Sequence, residues 1–382
     1  MIRTVAALAT AAALVVWAQR LNDGTTAGRT AAFLVACGAA LGAVLQRSRL
    51  CFASAFRDVL VLRDRRAALG VLATLAMGSL GYTVLFGAQL PDPSRYLPDT
   101  THIAPAGPVV LLGGVSFGLG MVLAGGCISG HLYRLGEGSL VSPVALLACI
   151  PGFWLAFALW NFFYVKSVST SPVVWLPAKL GYEGALALQL AVLGGLAALL
   201  LHKGSPVARP AREPLRLRDV VREPWPTWIG GAAVGIIATF AYLWNHPLGV
   251  TSEIGRVSRR MGLAFGFVPA RLEGLDRLAG CRAIASDRWL TESGVFIVSL
   301  VAGSLASALL SGEFRLRTGK PRTYALAAAG GVLLGFGAMI SLGCTVGTML
   351  SGIMAFSLHG WVFLAGLAAG AWAGTAILRR LA

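Results

Sequence analysis

Residues 113–132, GGVSFGLGMVLAGGCISGHL, decide how the rest of the chain is read. They make an apolar run dense in glycine, long enough to cross a bilayer, that breaks at Gly125-Gly126-Cys127 and resumes at Ile128. The run returns at residues 330–349 as GGVLLGFGAMISLGCTVGTM. A constant offset of 217 positions lays Gly113, Gly114, Val115, Gly118, Gly120, Gly126, Cys127 and Gly130 on Gly330, Gly331, Val332, Gly335, Gly337, Gly343, Cys344 and Gly347. This many identities in register mark an internal repeat. Glycine-interrupted apolar segments at matching places in two halves point to the binding site of a transporter. The fold class expected is an all-α polytopic membrane protein: an inverted-repeat transporter of about ten spans, its broken helices and re-entrant loops meeting at the membrane centre.

Composition agrees. Mean hydropathy is +0.73 and only 13% of the residues are charged, so a soluble domain is excluded. The net charge of +16 does not indicate nucleic-acid binding, because the arginines cluster in short segments between apolar runs, as cytoplasmic loops do. Six cysteines without a CxxC pair or Cys/His zinc spacing indicate neither a disulfide framework nor a metal site. Phosphate-loop and dinucleotide motifs are absent, and no cofactor is expected.

Along the chain, residues 1–27 read as an extra N-terminal helix, retained rather than cleaved. Residues 28–202 are the first repeat half, 203–226 a basic, proline-rich cytoplasmic linker, and 227–382 the second half. Spans are expected at about 30–45, 67–90, 141–164, 185–201, 227–244, 294–310 and 361–378, besides the two broken helices. Pro151-Gly152 predicts a kink in the fifth span. Counting spans gives the halves opposite orientation. A weaker register lays Cys51 on Val250 and Arg57 on Arg256, so four buried loops should surround one centre, three of them carrying cysteine. Residues 256–288, with Cys281, form an arginine-rich external stretch.

In hydrocarbon, irregular backbone survives only when buried in protein or lining a cavity. The breaks at Gly125-Gly126-Cys127 and Gly343-Cys344 should therefore face a central pathway. Short helices starting at Ile128 and Thr345 would aim free N–H groups and the positive dipole end at that centre. Such an anion site needs no fixed cation, so the ion can also leave. A thiol adds a weak donor and a soft, polarizable surface, suited to a substrate that itself carries sulfur or selenium. Glycines 113, 114, 118 and 120 read as packing surfaces, and Cys37, Cys149 and Cys281 as apolar fillers. Gly125, Gly126 and Gly343 read as site residues. Arg57 reads chiefly as a loop charge that could guide an anion at the inner mouth. Arg134 and Glu137 read as an ion pair, and Asn245 and His246 as a helix-end cap. The scarcity of intramembrane charge argues against a proton relay on buried carboxylates.

RSRLCFASAFRD at 47–58, GLGMVLAGGCISGHLYRLGEG at 118–138, NHPLGVT at 245–251 and GFGAMISLGCTVGTMLSGI at 335–353 resemble the YeeE/YedE family of bacterial thiosulfate permeases. The resemblance runs over nearly the whole chain from about Gly28. It implies an hourglass-shaped inverted-repeat fold in the bacterial inner membrane, taking up thiosulfate for sulfur metabolism. It implies that Cys51, Cys127 and Cys344 pass the ion by S–H···S contacts. A small cytoplasmic sulfur carrier of the TusA kind is the implied partner, beside the lipid bilayer. Two departures are the added N-terminal helix and the loose match over 256–288. Two alternatives stay open. One is a membrane sulfurtransferase relaying sulfane sulfur as a cysteine persulfide, since a helix N-terminus favours thiolate. The other is a transporter of selenium compounds.

Overall fold

The computed structural model describes residues 2–62, 64–98, 101–202, 223–244, 247–275, 278, 280 and 291–381. Cys281, Asn245, His246 and most of the expected linker lie outside the described residues. The chain is an all-α polytopic membrane protein: ten described helical stretches are long and apolar enough to cross a bilayer.

In chain order these are α1 (Ile2–Leu21), α2 (Thr26–Ser48), the short α3 (Phe52–Arg57), α4 (Arg66–Gln89), α5 (Pro108–Ala124), the short α6 (Ile128–Gly136), α7 (Val141–Lys166) and α8 (Pro177–His202). Then come α9 (Thr227–Trp244), the amphipathic α10 (Thr251–Ala264), α11 (Glu292–Ser311) and α12 (Pro321–Ile340). A wide turn, Thr345–Ser351, leads into the single-turn α13 (Gly352–Met354), and α14 (Leu358–Leu381) ends the chain. Local chemistry sets the boundaries. The Thr25 hydroxyl accepts from the Gly28 amide at the start of α2, and Thr291 does the same for Gly294 in α11. Proline opens both α5 and α12, where a missing N–H costs nothing.

The two glycine-rich helices cross at the core. Where Gly113 of α5 faces Gly337 of α12, Gly120 faces Gly330, so the two helices run antiparallel. The Ser116 hydroxyl donates to the Leu333 carbonyl at 3.0 Å, and these two residues are themselves 217 apart. A side chain on Gly337 would stand 2.5 Å from the Gly113 carbonyl oxygen, so glycine here sets the helix separation. The reading of these glycines as packing surfaces therefore holds. Around this crossing, α5 packs on α14, α12 on α7, α2 on α11 and α9 on α4. Each of these pairs takes one helix from either side of the linker. Moving along the repeat exchanges the first pair with the second and the third with the fourth.

Several boundaries differ from expectation. The sixth span begins at Pro177 rather than near Ala185, with a turn at Gly181 (φ 68). Its start is anchored through tertiary contacts: the Trp175 indole donates to the Ala355 carbonyl at 2.9 Å and the Leu176 amide to that of Phe356 at 3.1 Å. α7 runs from Val141 to Lys166 through Pro151, with the Val332 carbonyl pressed against Gly152. α1 lies at the edge against α11 and α2, and only 6% of its apolar window is buried.

Candidate functional site

Cys51, Cys127, Val250 and Cys344 each occupy the N-cap of a helical segment: α3, α6, α10 and the 345–351 turn. The register that lays Cys51 on Val250 thus corresponds to one structural position. Local sequence explains the breaks. Gly125 closes α5 in the left-handed conformation (φ 77), which glycine adopts without strain. Leu342, its counterpart 217 positions on, takes the same conformation (φ 55) as a non-glycine, inside a fully buried turn.

All three cysteines are buried, at 1% exposure or less. The Cys51 and Cys127 thiols lie beside each other. Both abut Gly130, where a side chain would stand 3.0 Å from one sulfur and 3.4 Å from the other. Gly130 thus leaves room for the thiol pair. The Cys127 sulfur also accepts from the Gly130 amide at 3.4 Å and pairs with the Ser129 hydroxyl at 3.3 Å. Thr345 reaches the Cys127 thiol from the other half, and Thr251 reaches that of Cys344. Cys51, Cys127 and Thr345 are thus buried neighbours, and Cys344, next to Thr345 in the chain, has Thr251 beside it. Ile128 is buried beside Cys127 at the first position of α6.

Arg134 holds the first break. Its guanidinium donates to the Gly125 carbonyl at 2.5 Å, beside Gly126, within electrostatic reach of Cys51. This corrects the reading of Arg134 and Glu137 as an ion pair: the arginine is spent on the loop backbone, where a charged donor satisfies an orphan helix-end carbonyl. At the second break the Ser341 hydroxyl donates to the carbonyls of Gly337 at 2.5 Å and Gly343 at 3.1 Å. Gly125 itself is exposed, whereas Gly343 is buried. Arg57 is not brought to the thiols; it is about half exposed and paired with Asp58 at 2.9 Å. Cys149 donates to the Ala145 carbonyl one turn back at 3.3 Å, as a packing residue does.

Sequence reasoning missed Thr251 and the roles of Arg134 and Gly130. The signal for Thr251 was the Cys51–Val250 register, which puts residue 251 first in its helix. Among the described residues no group of three or more His, Cys, Asp or Glu is placed to hold a metal.

A polytopic helical protein whose helices break at buried cysteines is built like a membrane transporter. The model of the sulphur-transport family matches residues 47–373, and the chain belongs to that family. It is 30% identical over 359 residues to the thiosulfate transporter TsuA of Escherichia coli K12, covering 88% of this chain and 91% of that one. It is 28% identical over 363 residues to the thiosulfate transporter TsuA of Spirochaeta thermophila, covering 90% and 97%. A shorter stretch of 144 residues is 32% identical to the probable transporter YedE of Salmonella typhimurium, covering 37% and 35%.

Proposed function

We propose that this protein is an inner-membrane permease that takes up thiosulfate, and that the ion passes along Cys51, Cys127 and Cys344. What supports this reading is that three buried cysteines stand at three separate helix N-caps, two of them with thiols beside the same glycine. The names of the two full-length relatives supply the substrate. The terminal sulfur of thiosulfate is a soft, weakly basic acceptor, and a neutral thiol is a weak donor of matching softness. Weak successive contacts let an ion move on where a strong cage would hold it. The exposed Gly125, with Gly126, Ile128 and Arg134, supports one mouth of the path, while Gly343 and Thr345 line its buried continuation. Arg57, off the path, serves to draw anions toward the inner mouth. The reading is transport without covalent chemistry, with the delivered sulfur passing to a cytoplasmic carrier of the TusA kind. The two halves work as inverted repeats, which the antiparallel crossing of α5 and α12 favours.

The test is uptake of sulfur-labelled thiosulfate by cells lacking their own importers. Cys51→Ser, Cys127→Ser and Cys344→Ser are expected to abolish uptake at normal abundance, and Cys149→Ser to preserve it. Uptake by all four at the wild-type rate refutes the thiol path. A persulfide found on one of the three cysteines by mass spectrometry after substrate exposure would instead establish sulfur transfer.

A further inference from the structure

Many hydroxyls in this protein's membrane helices are satisfied within their own helix. Thr74, Ser79, Thr83, Thr239, Ser299 and Thr375 each donate to the carbonyl four residues back, at 2.6–3.0 Å. That bond is how a hydroxyl is satisfied away from water. Thr251 and Thr345 stand first in their helical segments, where the residues four back are not helical, so this recourse is closed to them. Both are buried, at 2% and 0% exposure, and neither Oγ1 has a hydrogen-bonded nitrogen or oxygen partner among the described residues. What lies beside each is a thiol: Cys344 for Thr251 and Cys127 for Thr345. Sulfur is a poor acceptor, and a buried hydroxyl left without a partner is unfavourable.

The arrangement is also one-sided. The equivalent first positions in the other half hold Phe52 and Ile128, which are apolar and buried. At these first positions the half that contributes two adjacent thiols offers no hydroxyl, its nearest one, Ser129, being paired with the Cys127 sulfur, and the half that contributes one thiol offers two. The path is soft at one end and mixed at the other.

We infer that Thr251 and Thr345 form a hydroxyl subsite that binds the oxygen end of the transported anion while the thiols meet its sulfur end. The inference rests on the thiosulfate reading proposed above and adds a basis for selectivity. A sulfur anion that carries oxygens finds two hard donors waiting, whereas sulfide or polysulfide leaves both hydroxyls unpaired. A site built to pair a polar group discriminates strongly against a ligand that lacks it.

The experiment uses the full chain with Thr251→Val, Thr345→Val, the double variant, and Thr→Ser and Thr→Ala at each position. Two readouts are taken: the thermal midpoint of the purified, ligand-free protein, and the KM for uptake of sulfur-labelled thiosulfate at matched abundance. The valine variants are expected to melt at or above the wild-type midpoint, because an unpartnered buried polar group has gone. Their KM should rise on the order of tenfold per hydroxyl, and serine should restore it. Wild-type KM in both valine variants overturns the subsite and leaves the permease reading standing. Absence of thiosulfate uptake by the wild type overturns both. If a valine chain does not accumulate, the alanine and serine variants decide: serine near wild type with alanine raised upholds the subsite, and equal KM values overturn it.

Discussion

Gly337→Ala tests whether the antiparallel crossing of α5 and α12 positions the cysteines. The added Cβ would stand 2.5 Å from the Gly113 carbonyl oxygen and 2.7 Å from the Phe117 amide nitrogen. Both are backbone atoms of a helix and cannot rotate away. Ordinary contact begins at 3.4 Å, so the helices must part by about 0.9 Å at this level. The Ser116–Leu333 bond, 3.0 Å long at the same crossing, would stretch out of hydrogen-bond range. Overpacking of this kind costs ~1–3 kcal/mol, and the lost bond adds ~1 kcal/mol. Because α5 leads into the Cys127 break and α12 into the Cys344 break, the parting also separates Cys127 from Thr345. The assay is denaturation of the detergent-purified protein together with labelled thiosulfate uptake. Gly337→Ala is expected to lose ~2–4 kcal/mol and most of its uptake with every thiol intact. Gly87→Ala is the control, since nothing lies within 4 Å of a Cβ there. If the two variants behave alike, the crossing does not set the site.

Two further expectations follow from the charged residues around α6. Arg134→Gln should lower uptake by ten- to a hundredfold, the order of one charge-assisted hydrogen bond, with little change in abundance, because the Gly125 carbonyl loses its donor; unchanged uptake would show that the loop holds its shape unaided. Burial raises the Glu137 carboxyl above its ordinary pKa, against the opposing pull of Arg317 and then Arg134. The folded state then holds this proton at a pH where the unfolded state has released it, so stability falls as pH rises from the ordinary glutamate value through the raised one. Glu137→Gln should therefore flatten the melting profile as pH rises above the ordinary glutamate value and match or exceed the wild type at neutral pH. A variant that melts earlier at neutral pH would show that the carboxylate is stabilised by its arginines.

The sequence alone determined the class of the molecule, because burial in a bilayer leaves few options for the backbone. Long apolar runs must be helices, and glycine-interrupted runs must have their breaks covered by protein. The offset of 217 located both breaks to the residue, since Gly125-Gly126-Cys127 and Gly343-Cys344 carry their signal in covalent order. Three of the four N-cap positions were legible because cysteine marks them. What the tertiary structure decided lies in contacts between halves. The start of α8 depends on two carbonyls 180 residues away, which accept from the Trp175 indole and the Leu176 amide, so local hydropathy placed it eight residues late. Arg134 was misassigned because a glutamate stands three positions on, while the carbonyl it serves lies nine positions back across a turn. Thr251 carries no local mark: a threonine at a helix start is ordinary in sequence. Only packing that leaves its hydroxyl buried beside a thiol makes it a candidate ligand, because an unmet hydrogen bond is a property of the surroundings and not of the residue.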